Sequence, residues 1–304
     1  MKKILPILLV AISAALWGII AIFVRGLDAF GFTSMEIVTI RVVTAAVLLG
    51  ITGLVKYPEQ MKIKWKDTLL FVGTGVCSIV LFNWCYFSSI QQMNLSLAVI
   101  LLYTAPAFVT VLSWLFLKEK LNAAKLISVA GTILGCVLVA GSNLNETTSI
   151  SAAGLLTGLG AGFGYALYTI FGKFALNKYS PFTVTLYTFI VASIALVPVT
   201  GLWNKGSILF SGEVMFYGLG LGLFPTVVAY LLYTKGLEKI DSSKASIIAT
   251  VEPVVATLLG VFLYKEGFAF IQFIGSFFIL LSVLLVNLPK NLLVKTQNEK
   301  ASIT

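Results

Sequence analysis

The sequence predicts an all-α integral membrane protein whose ten transmembrane helices form two inverted five-helix repeats. Three observations support this prediction. The 304 residues are 59% hydrophobic and 11% charged, with a mean hydropathy of +1.00, whereas soluble domains have about 45–50% apolar and about 25% charged residues. Positive charges are almost confined to alternate loops between apolar runs. Finally, the second half of the chain repeats a residue pattern of the first half.

Ten apolar runs use nearly the whole chain, since a membrane-spanning helix needs about 20 mostly apolar residues. The first run follows Lys2 and Lys3 and has about 21 apolar positions, longer than the roughly 7–15 of a signal peptide. No small-residue cleavage site follows it, so we interpret it as span one. The predicted spans are 4–24, 34–55, 68–89, 95–117, 123–141, 152–174, 182–201, 213–234, 243–264 and 268–288.

The positions of Lys and Arg test the number of spans independently, because a missed helix would invert every later loop. With a cytoplasmic N-terminus, only Arg25, Lys205 and Lys265 of the 21 Lys and Arg residues face outward, and Arg41 lies within span two. The remaining residues, all lysines, lie in cytoplasmic loops and tails or at the cytoplasmic ends of spans, as the positive-inside rule requires. The sequence therefore predicts a multi-pass protein of the cell membrane with both termini in the cytoplasm.

An internal repeat relates spans three and four to spans eight and nine. A shift of 147 residues gives nine identities over positions 86–119, among them Pro106 on Pro253 and Glu119 on Glu266. Each half has an odd number of spans, so the second half enters the membrane from the other side. Inverted repeats of this kind recur in secondary transporters, which bind substrate near the membrane midplane between the halves. The predicted units are 1–144, 145–290 and a polar cytoplasmic tail at 291–304.

Several classes of function are disfavoured by composition. The net charge of +9 does not indicate nucleic-acid binding, because the lysines lie in short loops between apolar runs. The chain has no His, and its three cysteines lie in apolar runs without metal-ligand spacing, which excludes His-based proton relays, His-containing triads and His-ligated metals. We therefore predict no enzyme activity, no cofactor and no metal. A purely structural membrane subunit would leave the duplicated polar residues without a purpose.

Short motifs recur in the same order in both halves. They are Leu16-Trp17-Gly18, Arg41, Pro106 with Leu117-Lys118-Glu119, Tyr165-Ala166-Leu167-Tyr168 with Gly172-Lys173, Glu252-Pro253, and Tyr264-Lys265-Glu266. Over residues 5–288 this order resembles the drug/metabolite transporter superfamily, specifically its ten-helix EamA-type proteins. The resemblance implies a transporter without ATP hydrolysis and a central cavity lined by spans one, three, four, six, eight and nine. Spans five and ten are implied to be scaffold.

Polar and aromatic residues on these spans are the candidate substrate ligands. In spans four and nine, hydroxyl-bearing residues recur every seven positions, which places them on one helical face. They either line a cavity or hydrogen-bond between helices, as Ser and Thr commonly do in membranes. Trp84 adds a further aromatic candidate. The predicted substrate-binding set is Trp17, Asn83, Tyr86, Tyr103, Tyr165, Tyr168, Tyr230, Tyr233, Thr250 and Glu252.

Arg41 and Glu252 lie deep within their predicted spans, where charge is costly and often functional. Glu252 could bind a proton, a cationic substrate or Arg41, or it could cap backbone groups freed by Pro253. Thr250 and Glu252 lie about 200° apart around a regular helix, so they share a cavity only if Pro253 distorts span nine. For Arg41, a structural ion pair or a hydrogen bond to a neighbouring helix is the favoured interpretation.

The predicted function is secondary-active transport of a small polar or amphipathic metabolite, such as an amino acid or amine, by alternating access. Export is one candidate direction, and a proton is the candidate coupling ion. The predicted partners are this small molecule and the lipid bilayer, with no nucleic acid, and the protein is a monomer or a homodimer. The alternative is a flippase for a lipid-linked substrate, which would need a cavity open sideways to the bilayer.

Overall fold

A computed structural model describes residues 4–141, 151–267 and 269–288. The predicted boundary between the halves at 144/145 and the tail at 291–304 therefore lie outside the described residues. The described residues contain ten helices long and apolar enough to cross a membrane and no strand, which confirms the predicted all-α fold class. The spans, numbered one to ten, are Leu5–Asp28, Ser34–Lys56, Trp65–Gln92, Leu95–Leu117, Ala123–Ala140, Ala152–Leu176, Pro181–Thr200, Gly212–Leu237, Ser242–Tyr264 and Phe270–Asn287.

The bundle has two ends, which we call the terminal face, where span one begins, and the opposite face, where span one ends. Two contacts relate these faces to span nine. Arg25, near the end of span one, pairs with Glu266, which follows span nine. Glu119, which follows span four, bonds to the backbone at Ser242, where span nine begins. Span nine therefore runs from the terminal face to the opposite face, parallel to span one.

Local capping explains where several spans begin. Thr33 and Glu36 form a reciprocal capping box at the start of span two. The side chains of Asn94, Asn122 and Ser151 accept hydrogen bonds from the first turns of spans four, five and six. Such caps satisfy backbone N–H groups that have no partner within the helix. Each of these four spans is thus preceded by a residue that fixes its first turn.

Irregular backbone recurs at matching positions in the two halves. Spans three and eight each contain one π-helical segment, Gly75–Val80 and Leu223–Val228. Spans four and nine are each broken at their middle, into Leu95–Leu102 and Ala105–Leu117, and into Ser242–Ala249 and Val251–Tyr264. Both broken spans end at a lysine with positive φ, 55° at Lys118 and 58° at Lys265. Interrupted membrane helices are tolerated where they pack on protein or line a cavity.

Spans five and ten pack against each other through small residues, away from the centre of the bundle. A Cβ atom added to Gly135 would lie 2.7 Å from the Gly275 carbonyl oxygen, and one added to Gly275 would lie 2.6 Å from the Gly135 carbonyl oxygen. Glycines allow two membrane helices to approach this closely. The two spans thus form a pair beside the helices that surround the central cavity.

Candidate functional site

A cavity of about 420 Å³ lies at the centre of the bundle. Its inner wall includes Trp17 and Glu252, which lie at the middle of spans one and nine. Its wall continues to Arg25, Ser34 and Leu95, which lie at the opposite face and are exposed. The cavity is therefore reached from the opposite face.

Seven of the ten predicted substrate ligands line this cavity, and they come from the six spans that the resemblance implies. Span two, which was not expected to contribute, adds Ile37, Val38 and Arg41 to the wall. Asn83 also donates from its amide nitrogen to the Ile79 carbonyl oxygen at 2.7 Å, which fixes its side chain. The predicted ligands in the wall are Trp17, Asn83, Tyr86, Tyr103, Tyr165, Tyr230 and Glu252.

The other three predicted ligands lie behind the cavity wall. The Tyr168 hydroxyl bonds to the Thr234 hydroxyl at 2.8 Å, and the Tyr233 hydroxyl bonds to the Thr169 hydroxyl at 2.6 Å. Both bonds join span six to span eight. Thr250 donates to a backbone carbonyl of its own helix at 2.6 Å. Their contact with substrate stays a prediction, and in this structure their hydroxyls bond within the protein.

Aromatic rings form the floor of the cavity. The Trp17 ring centroid lies 5.2 Å from those of Tyr230 and Tyr233, and the Tyr168 and Tyr230 centroids lie 5.0 Å apart. Offset and edge-to-face contacts at these distances stabilise aromatic clusters. Trp84 is 55% exposed and lies on the outside of the bundle, so the expectation that it adds an aromatic face to the cavity is wrong.

The break in span nine places Glu252 but does not bring Thr250 into the same cavity. The second helical segment begins at Val251, and Glu252 lies in its first turn, where the helix dipole favours a negative charge. Thr250 instead lines a separate small void beside Tyr103. Pro253 falls among the first residues of the segment, whose N–H groups have no partner within the helix. It therefore removes no hydrogen bond that Glu252 would have to replace.

Arg41 lies in the cavity wall and its side chain interacts with Tyr230 of span eight, a neighbouring-helix partner of the kind that sequence analysis favoured. Its residue is 7% exposed, and neither its Nε nor its Nη2 atom has a hydrogen-bond partner among the described residues. The Trp17 Nε1 atom is likewise buried and unpartnered. The charges of Arg41 and Glu252 act on each other across the cavity, but the Glu252 carboxylate does not bond to those two nitrogens. An arginine deep within a span was the only sequence signal for this site.

A polar cluster closes the bundle below the floor, at the terminal face. The Glu119 carboxylate accepts hydrogen bonds from the Ser242 N–H at 2.5 Å, the Ser243 N–H at 3.3 Å and the Ser243 hydroxyl at 2.8 Å. The Lys125 ammonium lies 3.5 Å from Glu119 and 3.0 Å from Asp241. We call these five residues the terminal-face cluster. It joins spans four, five and nine through charge-assisted hydrogen bonds, which are stronger than neutral ones.

Lys173 provides a second link at the terminal face. Its ammonium donates to the carbonyl oxygens of Leu237 at 2.6 Å and Ile240 at 2.7 Å. A cation at the end of a helix satisfies carbonyl groups that have no intrahelical partner and interacts favourably with the dipole. Lys173 therefore joins span six to the end of span eight.

The matching charged residues at the opposite face pair with each other. Arg25 and Glu266 form an ion pair at 2.9 Å with side chains 55% and 52% exposed. The Arg25 guanidinium also lies 3.9 Å from the centroid of the Tyr264 ring. Leu95, at the start of span four, is 57% exposed. Arg25 and Glu266 thus stay exposed near the mouth of the cavity, whereas Glu119 and Lys173 join helices at the terminal face.

Comparison with known proteins finds transporters along the whole chain. The model of the EamA-like transporter family matches residues 4–141 and 152–288. The chain is 29% identical to an uncharacterized transporter of Archaeoglobus fulgidus, over 91% of this chain and 94% of that protein. It is 28% identical to the uncharacterized transporter YwfM of Bacillus subtilis, over 73% and 74% of the two chains.

A solved crystal structure has the same fold. It superposes with a TM-score of 0.75 and covers 93% of this chain and 96% of its own, at 18% sequence identity. At this identity the similarity concerns the arrangement of the helices alone.

Proposed function

Because the chain belongs to the EamA-like transporter family of the drug/metabolite transporter superfamily, we propose that it is a secondary-active transporter of a small polar or amphipathic metabolite. The substrate class is an amino acid, an amine or a related compound. The observation that carries this proposal is the central cavity, which is reached from the opposite face and closed toward the terminal face. A carrier that alternates access requires such a one-sided state.

The charged residues at the two faces support alternation between two such states. In the proposed inverted repeat, Glu266 corresponds to Glu119, and Arg25 corresponds to Lys173. Glu119 and Lys173 now hold the start of span nine and the end of span eight. In the second state, Glu266 would hold the start of span four, and Arg25 would hold the end of span three. The contacts of Glu119 and Lys173 at the terminal face would break as these form.

The breaks in spans four and nine are where these motions can occur. In each span one helical segment ends and a new one begins within the membrane, at Tyr103 and at Thr250. When packed segments rotate relative to each other, a few hinge residues absorb the change in backbone dihedral angles. The ends of the broken spans could therefore move while their other halves stay packed.

Polar residues at the mouth of the cavity favour a soluble substrate over a lipid-linked one. The mouth of the cavity includes the polar side chains of Arg25 and Ser34, which suits entry from water. A flippase would instead need an apolar opening toward the acyl chains. On the predicted topology the terminal face is cytoplasmic, so the cavity is reached from outside the cell in this state.

Glu252 is the candidate site for a coupling proton. A carboxylate within the membrane that faces a cavity is a common element of proton relays. Protonation would remove its charge during the passage of the carrier through its closed intermediate. Substrate binding and proton binding at one cavity would couple the two fluxes.

Transport by the purified protein tests the proposal. Metabolite pools are screened for compounds that raise the melting temperature, since a ligand that binds the folded state stabilises it. The compounds found are then tested for uptake into proteoliposomes with and without a pH gradient. We expect saturable, protein-dependent flux. Flux no greater than in protein-free liposomes for every such compound would refute the transport proposal.

Proton coupling has its own test in the Glu252→Gln variant, with Glu213→Gln at the start of span eight as the control. We expect Glu252→Gln to abolish accumulation driven by the pH gradient, and the control to retain it. An unchanged rate and pH dependence in Glu252→Gln would refute proton coupling through this residue.

A further inference from the structure

The segment that joins spans two and three presents a row of lysines at the terminal face. Its two acidic residues are already paired, Glu59 with Lys62 at 2.8 Å and Asp67 with Lys178. The other lysines of the segment form no salt bridge among the described residues, so their positive charges stay available to a partner. The exposed lysines of the segment are Lys56, Lys62, Lys64 and Lys66.

The backbone of this segment is held in place from its inner side. The Tyr179 hydroxyl accepts a hydrogen bond from the Lys64 N–H at 3.0 Å and donates to the Asp67 carboxylate at 2.8 Å. The Tyr187 hydroxyl of span seven donates to the Met61 carbonyl oxygen at 2.6 Å. The lysines therefore extend from a fixed backbone, which lowers the entropy cost of binding a partner.

Exposed apolar side chains lie directly beside these lysines. Trp65 is 88% exposed and Leu69, one turn further into span three, is 77% exposed. The buried Asp67 lies between them in sequence and is directed inward. Val55, immediately before Lys56 at the end of span two, is 81% exposed. Exposed apolar side chains of a membrane span contact acyl chains, and Trp is enriched at the level of the lipid headgroups.

An apolar surface, a tryptophan at its boundary and free lysines above it match the parts of one partner. We propose that the segment around Lys64, Trp65 and Lys66 is a binding site for an anionic phospholipid. The lysines contact the phosphate headgroup, the Trp65 ring lies at the boundary, and an acyl chain lies along Leu69. Lysines next to a membrane span attract anionic lipids, each by about fivefold in affinity.

Two cations of the opposite face differ from these lysines because they are bonded within the protein. The Lys205 ammonium lies 2.7 Å from the Glu36 carboxylate and donates to the Gly31 carbonyl oxygen at 2.8 Å. Arg25 is paired with Glu266. We therefore expect the preference for anionic lipid to be localised at the segment between spans two and three.

Quenching of Trp65 by brominated lipids tests the site in the full-length protein. The vesicles contain equal amounts of phosphatidylcholine and phosphatidylglycerol, and only one of the two lipids carries bromine on its acyl chains. The signal of Trp65 is the difference between the wild type and Trp65→Phe. We expect phosphatidylglycerol to be preferred over phosphatidylcholine beside Trp65 by about fivefold or more, the effect of one lysine near a membrane surface.

A double variant assigns this preference to the lysines. Lys64→Gln combined with Lys66→Gln should lower the preference to about twofold or less. Both side chains make no hydrogen bond or salt bridge among the described residues, so the fold should be retained. The matched control is Lys235→Gln combined with Lys239→Gln, which removes two exposed lysines near the end of span eight at the same face. It changes the net charge equally and should keep the preference.

Salt provides a second measurement that needs no substitution. The preference of the wild type should fall as the salt concentration rises, since salt screens exposed charges. Equal quenching of Trp65 by the two brominated lipids would overturn the site, as would an equal loss of preference in the two double variants. Loss of the preference on adding glycerol phosphate, at the concentration of the lipid, would show a site for free phosphate anions instead. None of these outcomes depends on the proposed transport function.

Discussion

Replacing Glu119 by Gln is expected to open the terminal face of the transporter, whereas replacing Glu266 by Gln is not. The two residues correspond in the internal repeat, so the substitutions are chemically identical. Their surroundings differ. Glu119 has a side chain 10% exposed and accepts three hydrogen bonds at the start of span nine, whereas Glu266 is about half exposed and pairs with Arg25.

The magnitude follows from these contacts. A hydrogen bond to a charged group contributes about 1.5–3 kcal/mol and a neutral one about 0.5–1.5 kcal/mol. Gln at position 119 keeps one acceptor but loses the charge and the attraction to Lys125, so we expect closure at the terminal face to weaken by about 2 kcal/mol. That corresponds to an increase of about 30-fold in the open population. An exposed ion pair contributes about 0.2–1 kcal/mol, so its loss in Glu266→Gln should raise that population by about fivefold at most. Loss of the contact that Glu266 would make at the start of span four in the second state acts in the opposite direction.

Cysteine accessibility measures this population. Ser246 is 1% exposed and lines a small void next to Thr250, on the terminal side of the break in span nine. The S246C substitution is made after replacing the three native cysteines, and a membrane-impermeant maleimide is applied to vesicles that expose the terminal face. Labelling should be about 30-fold faster with Glu119→Gln than without it. The Ala192→Cys variant, buried in span seven, is the control for global unfolding.

Equal labelling rates of S246C in the Glu119→Gln and Glu266→Gln backgrounds would refute the assignment of the terminal-face cluster as the closing contact. Faster labelling of Ala192→Cys in step with S246C would show loss of the whole fold instead. A rate increase confined to S246C and to Glu119→Gln is the outcome that the structure predicts.

Two further substitutions test the packing around the site. Tyr233→Phe removes the hydroxyl bonded to Thr169, and hydrogen bonds between membrane helices average about 0.6 kcal/mol, so thermal stability should fall slightly while substrate affinity is unchanged. A large loss of affinity without loss of stability would instead make Tyr233 a substrate ligand. Gly135→Val would force a side chain against Gly275, and overpacking costs about 1–3 kcal/mol, to be measured as a lower melting temperature. Gly50→Val, where an added Cβ meets nothing within 4 Å, should show no such loss.

The ten spans could be predicted from the sequence because their signals are local. Length and apolar character identify each helix, and the position of each lysine between runs counts the helices a second time. The structure extends span one to Asp28, four residues past the predicted end. Arg25 lies in that extension. Its backbone is helical, and its long side chain reaches Glu266 at the face of the bundle.

The composition of the cavity wall was less predictable, because it depends on which face of each helix points inward. Seven predicted ligands do line the cavity. They could be predicted because polar residues at matching positions of both halves indicate which helices lie at the centre. Tyr168 and Tyr233 lie on those same helices but bond to hydroxyls of the neighbouring span. The amino-acid sequence alone does not distinguish a hydroxyl that hydrogen-bonds across a helix interface from a hydroxyl that faces the cavity.

The surroundings of Arg41 were likewise not predictable from the sequence. A lone arginine in span two indicates a buried charge but not its partner, and a structural bond was the more common outcome to expect. Only the three-dimensional packing shows that Arg41 lies in the cavity wall beside Tyr230 of span eight, while its Nε and Nη2 atoms are buried without a partner among the described residues. Its contribution also brings span two into the wall, which no repeated motif indicated.

The two ends of the proposed carrier are not energetically equal, and the difference lies in span five. Lys125 is buried at the terminal face between Glu119 and Asp241. Aligning Gly131 of span five with Gly275 of span ten requires a shift of 144 rather than 147 residues. At that shift Lys125 corresponds to Ala269, immediately before span ten. Closure at the opposite face would therefore lack the buried cation that stabilises closure at the terminal face. The unloaded protein should rest with its cavity open at the opposite face, and substrate binding must supply the free energy that favours the other state, since a ligand shifts an equilibrium only by its difference in affinity for the two states.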